Sequence, residues 1–217
     1  MTRPEEAAAR AEIVRLARAL DAAGMMPSKS GNLSCRTGDG GMLITPSGLP
    51  YAAMRPEDLV RLGPDGQVRA GGRPSSEWRL HQAIYRARPE VAAVVHTHSP
   101  KATALSCARR GIPAFHYMVA LAGGSDIRCG DYATFGTAAL AEATLRALEG
   151  RRAALLANHG VVAVGASLAA AYTLALEVEN LAGQYLALLA AGLAPVLLDE
   201  AEMARVLERF ADYKRLG

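Results

Sequence analysis

Apolar positions recur at helical spacing near the start of the chain, where Ile13, Leu16, Ala17 and Leu20 fall at i, i+3, i+4 and i+7. Thr2 can cap that helix, Pro4 suits its first turn and Gly24 ends it. The pattern then changes to short aliphatic runs. Met42 to Thr45 reads as a strand with the turn Pro46-Ser47-Gly48 behind it, and Ala92 to His98 as a buried β-branched strand. Ala153 to Ala157 and Val161 to Gly165 read as two strands joined by Asn158-His159-Gly160, and Pro113 to Tyr117 is a further strand candidate. Helices fall between them. Ser75 or Ser76 caps one that Pro89 stops, Ser99-Pro100 opens another, and Thr137 to Leu148 is a third. A long helix runs from Ser167 to about Ala191, and a last one starts at Asp199 with Glu202 placed as in a capping box. Interleaved strands and helices predict an α/β fold, a sheet covered by helices, and the lack of repeats or linkers makes residues 1–217 one domain.

Composition adds bounds. A chain of 217 residues that is 51% hydrophobic buries roughly 70% of its unfolded surface and needs no disulfide or structural metal to fold. Cys35, Cys107 and Cys129 are far apart, as expected in a reducing compartment. A net charge of +3, carried mostly by scattered arginines, lacks the clustered basic stripe of a nucleic-acid interface. The first residues carry charges where a signal peptide needs an apolar core, and Tyr185 to Leu198 is too short and too broken by Gly192 and Pro195 to span a bilayer. The expectation is a cytoplasmic protein with neither nucleic-acid nor membrane partners.

His96 and His98 carry the sharpest chemical signal. Residues i and i+2 of a strand share a face, so both imidazoles converge on one point, as two ligands of Zn²⁺ or a similar ion would. An exposed strand end gives the same pattern without a metal. His159 is the third candidate, although Asn-His-Gly is also ordinary turn chemistry. Three imidazoles on one ion leave an open coordination position, the arrangement of catalytic zinc. Glu77 at a helix start is favoured by the helix dipole in any case, and beside a metal it could serve as general base or displaceable fourth ligand. His81 and His116 read as packing or supporting residues. Ser30-Gly31-Asn32, Thr45-Pro46-Ser47-Gly48 and Pro74-Ser75-Ser76 each offer hydroxyls and open backbone N–H groups; each is also an ordinary turn.

Taken in order, SGNLS (30–34), MLITPSGLPY (42–51), PSSEWRLH (74–81), AVVHTH (93–98), IPAFHYMVALAGG (112–124), YATFGT (132–137) and ANHGVVAVG (157–165) resemble the class II aldolase and adducin family across nearly the whole chain. The resemblance implies a mixed, mostly antiparallel central sheet with helices on both faces. It makes His96, His98 and His159 metal ligands, with Glu77 as catalytic acid/base and further ligand, and Zn²⁺ or another divalent transition metal as cofactor. It assigns the substrate phosphate to Gly31, Asn32, Ser47, Gly48, Ser75 and Ser76. It also implies a homotetramer with sites between subunits, to which a neighbour's Tyr117 contributes as proton donor or hydroxyl contact; Phe135 and Tyr213 match further neighbour-supplied positions, Phe135 as a substrate contact and Tyr213 as a catalytic residue.

The implied reaction is reversible cleavage of a ketose 1-phosphate, such as L-fuculose 1-phosphate, to dihydroxyacetone phosphate and a short aldehyde such as L-lactaldehyde. A Schiff-base lysine is not needed, and the chain holds only Lys29, Lys101 and Lys214. Lys29 departs from the family pattern, which has a small neutral residue there. Within the family, a sugar-phosphate 4-epimerase usually follows its Ser-Ser with Asp where this chain has Glu77, and a dehydratase or decarboxylase is a further alternative. A metal-free, adducin-like interaction module is the alternative from another class, and it predicts loss of the ligand set.

Overall fold

A computed structural model describes residues 2–216, side chains excepted at residues 3 and 213–216. Helix α1 (Arg3–Ala22) starts as the sequence predicts: Thr2 Oγ1 accepts the Glu5 N–H and Glu5 returns the bond to the Thr2 N–H. Its buried stripe includes Ile13, Leu16, Ala17 and Leu20. Eight strands follow in one sheet: β1 (Asn32–Arg36), β2 (Met42–Ile44), β3 (Val60–Leu62), β4 (Val68–Ala70), β5 (Ala93–Thr97), β6 (Cys129–Gly130), β7 (Ala153–Leu156) and β8 (Gly160–Gly165). The remaining helices are α2 (Trp78–Ala87), α3 (Pro100–Cys107), α4 (Ala138–Ala147), α5 (Leu168–Ala190) and α6 (Glu200–Leu216).

The strand order is β4-β3-β2-β1-β5-β8-β7-β6, antiparallel at every step except β6 on β7. Alternation along the central strands divides the core in two. Val95, Ala163 and Leu33 face α1, α3, α5 and α6, whereas Val94, Val162 and Val164 face Leu80 and Ile84 of α2 and Leu140 of α4. The expected sheet with helices on both faces is therefore present.

Two expectations need correction. Residues 113–117 form no strand. Ile112 makes a single bridge to Ile127, Pro113 has no N–H to extend it, and the His116 ring accepts the Met118 N–H to start a 3-10 turn over Tyr117–Ala122. The helix expected to begin after Ser75 or Ser76 begins one step later, with Glu77 at its N-cap. The cause is a competing extended pairing: the Ser75 N–H donates to Thr45 O at 3.1 Å, and the Ser47 N–H to Arg73 O at 3.0 Å.

Candidate functional site

Register brings the histidines together. In β5, His96 shares the α2-facing side with Val94, and it pairs with Asn32 of β1 and Val162 of β8. His98 projects to the same side just beyond the strand. His159 arrives from the β7–β8 turn, where Asn158 adopts a left-handed φ of 53° and the turn is tied to the end of α3: the Asn158 N–H donates to Ser106 O and the His159 N–H to Ser106 Oγ. Every pair of the three rings has centroids 4.8 to 4.9 Å apart. Glu77, at the α2 N-cap, puts Oε2 at 3.0 Å from His96 Nε2 and Oε1 at 3.2 Å from His159 Nε2.

These residues fit a divalent cation. One ligand atom from each of Glu77, His96, His98 and His159 lies within 4.8 Å of the others. Val161 O can only accept, so His96 Nδ1 carries the proton at 2.9 Å, and in the neutral ring the Nε2 lone pair is bare. That lone pair faces His98 Nε2 at 3.0 Å and the Glu77 carboxylate. Glu77 Oε1 is buried and has no hydrogen-bond partner. Acceptors aimed at one another in a buried site are repulsive until a cation lies among them. Burial works to raise the pKa of Glu77, but His96 and His159 beside it hold the carboxyl well below the usual range. Burial, with the neighbouring His96 and His159, drives His98 down to about 3, which keeps its ring neutral and able to ligate.

A cleft of about 290 Å³ opens beside this cluster. All six phosphate candidates, Gly31, Asn32, Ser47, Gly48, Ser75 and Ser76, line it together with Glu77, His98 and His159. Their convergence has a cause in the backbone. Thr45 bonds to Leu33 through both its N–H and its hydroxyl, its own carbonyl accepts from Ser75, and an isolated bridge links Pro46 to Pro74, so three turns are laced side by side. Tyr51, not singled out from sequence as a site residue, donates its hydroxyl proton to Gly31 O at 2.7 Å and fastens the first of those turns. Ser28 and Lys29 both take left-handed backbone, with φ of 56° and 65°, and Lys29 joins the lining. Asn158, Tyr132 and Ala133 complete it without having been singled out from sequence as site residues.

The aromatic candidates divide. Phe135, 65% exposed, lines the cleft of its own chain. Tyr117 lies outside that cleft, 50% exposed and stacked between His116 and Phe210. Tyr213 sits on the helical backbone of α6, and its side chain lies outside the described residues. His81 is fully buried.

Gly160 makes the cluster possible. A Cβ there would lie 2.4 Å from Thr97 O, 3.2 Å from His98 Cδ2 and 3.4 Å from His96 Cε1. Because the first of these is backbone, Gly160→Ala is expected to push β8 from β5 and to lower stability by about 1–3 kcal/mol in urea unfolding, with weakened metal binding alongside.

The Class II Aldolase and Adducin N-terminal domain family matches residues 11–186. A 5-methylthioribulose-1-phosphate/5-deoxyribulose-1-phosphate aldolase from Rhodospirillum rubrum is 53% identical over 93% of this chain and 90% of its own length. An L-fuculose phosphate aldolase from Escherichia coli O6:H1 is 49% identical over 88% of each chain. A solved L-fuculose 1-phosphate aldolase has a TM-score of 0.90 at 38% identity, over 94% of this chain and 96% of that one.

Proposed function

The chain belongs to the class II aldolase and adducin family and is an aldehyde-lyase, and from that premise we propose that it cleaves a ketose 1-phosphate reversibly between carbons 3 and 4, releasing dihydroxyacetone phosphate. The observation that carries the reading is the single cleft on which the six phosphate-loop residues, Glu77, His98 and His159 all open. It also speaks against a metal-free interaction module, since the full ligand set is retained.

Glu77, His96, His98 and His159 would hold the metal, with zinc first in line for a donor set of three imidazoles and a carboxylate. A divalent ion so held supplies a Lewis acid for the negative charge that develops on substrate oxygen. The rest falls to the protein. The laced turns and the Lys29 ammonium hold the phosphate and so fix where carbon 3 lies. Glu77 gives and takes the proton at carbon 3. Tyr117 of a neighbouring subunit handles the hydroxyl proton on the aldehyde side in a homotetramer, with Tyr213 as a second neighbour-supplied group; the exposure of Tyr117 away from its own cleft accords with that role.

Tyr132, Ala133 and Phe135 form an apolar wall on the cleft, suited to an aldehyde with little hydroxylation. On that ground, and from the relative 53% identical to this chain, 5-methylthioribulose 1-phosphate and 5-deoxyribulose 1-phosphate are the first substrates to test. L-Fuculose 1-phosphate, giving L-lactaldehyde, is the second reading, supported by the relative 49% identical. A panel of these three esters, assayed for dihydroxyacetone phosphate with and without chelator, tests the proposal. Chelator-sensitive release from at least one supports it; release from none sinks it.

Lys29 gives a separate test. Its side chain carries the one ammonium on the cleft lining, and no carboxylate partners it among the described residues. Lys29→Ala is expected to raise KM for the phosphate ester about tenfold, in keeping with loss of one charge-assisted contact, and to change kcat less than threefold. Steady-state kinetics on the preferred ester check it.

A further inference from the structure

From Glu77 and Asn32, which line the cleft, a file of polar side chains runs back between α2 and β1 to His81, Ser34 and Tyr85, which do not line it. Glu77, His81 and Tyr85 stand at i, i+4 and i+8 along one side of α2, and Asn32 and Ser34 stand at i and i+2 on the side of β1 that faces them. All five are buried, His81 and Ser34 fully. Tyr85 OH lies 2.7 Å from Ser34 Oγ, which lies 2.6 Å from His81 Nδ1; His81 Nε2 meets Asn32 Oδ1, and Asn32 Nδ2 lies 3.0 Å from Glu77 Oε2.

The direction of every proton in this file is forced. A carboxylate only accepts, so Asn32 presents its amide N–H₂ to Glu77 and its carbonyl to His81. His81 must then carry its proton on Nε2, which leaves Nδ1 bare. Ser34 fills that acceptor with its only proton, so the Ser34 oxygen is free to accept from the Tyr85 hydroxyl. Burial, followed by the nearness of His96, drives His81 down to about 3, which agrees with a neutral ring of one tautomer. The outer end is fixed as well: Arg36 lies over the Tyr85 ring at 4.9 Å and donates to Tyr85 O, Arg88 O and Val91 O.

We propose that His81, oriented by Ser34 and Tyr85, is a positioning residue for the lyase reaction: through Asn32 it pins Oε2 of Glu77 and leaves Oε1 as the oxygen that exchanges the proton with substrate. The two oxygens are already unlike, since Oε2 receives the Asn32 bond whereas Oε1, buried, makes no hydrogen bond and faces His159 Nε2 at 3.2 Å on the metal side. Without the file the Asn32 amide can rotate and the carboxylate loses its fixed orientation. This inference rests on the acid/base role proposed for Glu77 and adds the groups that set it.

Three measurements test it on the metal-loaded protein. In ¹⁵N-histidine NMR, His81 is expected as a neutral ring protonated at Nε2; a proton resident on Nδ1 reverses the file and overturns the proposal. His81→Phe is expected to lower kcat about ten- to a hundredfold, the range for outer partners of a site ligand, with a smaller rise in KM through Asn32 and metal content unchanged. His81→Gln, which returns an N–H near the Nε2 position, should recover most of that loss, whereas a purely packing role predicts no better activity than for Phe. If His81→Phe does not fold, Ser34→Ala takes its place: it leaves His81 Nδ1 without its donor and Tyr85 OH without its acceptor, so the ring loses its outer anchor and kcat should fall several-fold. Wild-type kcat in the folded variant overturns the inference while leaving Glu77 untouched. An active Glu77→Gln would instead show that the functional reading underneath has failed.

Discussion

Glu77→Gln is expected to lose turnover by a hundredfold or more, on the order of a positioned general acid/base, while its metal content stays nearly that of the wild type. The substitution keeps the size of the side chain and its contact with Asn32, and the three imidazoles still converge without it. What it removes is the basic oxygen. Oε1 is the natural exchanger, buried at the cleft and without a hydrogen-bond partner. Flanked by His96 and His159, the carboxyl is held low when those rings carry charge. Elemental analysis and single-turnover release of dihydroxyacetone phosphate, run on the same sample, check the outcome. Turnover near wild type removes Glu77 from the chemistry; loss of metal with loss of activity makes it a ligand first.

Much of this site is legible in the chain because its groups sit on regular periods. His96 and His98 share a strand face by alternation, and the short Asn158-His159-Gly160 turn between two apolar runs can only place His159 at a strand end. The family blocks tie these segments together and imply the phosphate loops, but spacing does not show why three turns meet. That depends on hydrogen bonds from Thr45 to Leu33 and Ser75, which are long-range and leave no period. Strand β1 goes unnoticed for a related reason. Asn32 and Ser34 make it look polar, yet they point inward to the His81 file, so the residues that hide the strand are those that hold the carboxylate. Strands β3, β4 and β6 have only two or three residues each, too few for alternation to register. Pro113 to Tyr117 misleads in the opposite way, apolar enough for a strand but opened by a residue that cannot donate to a ladder.

The second large effect concerns His98. His98→Ala is expected to abolish tight metal binding and to cut turnover by about a thousandfold or more, since a Lewis acid is worth several kcal/mol to the developing charge and each 1.4 kcal/mol is tenfold in rate. His98 is the better choice over His96 for separating chemistry from folding. His96 is fully buried and bonded to Val161 O, so its removal would leave a cavity in the middle of the sheet and lose that bond. His98 borders the cleft, its Nε2 3.0 Å from His96 Nε2, and belongs to neither apolar core, so its loss leaves both intact. Circular dichroism of the variant should therefore match the wild type. The wild type's melting temperature should rise with added zinc, by an amount equivalent to about 2.7 kcal/mol at a hundred times Kd, and the variant's should not respond. Dialysis against chelator should bring the wild type to the variant's behaviour and zinc should restore only the wild type. A His98→Ala protein that still melts higher with zinc and still releases dihydroxyacetone phosphate would mean that the imidazole cluster is packing around a reaction carried elsewhere.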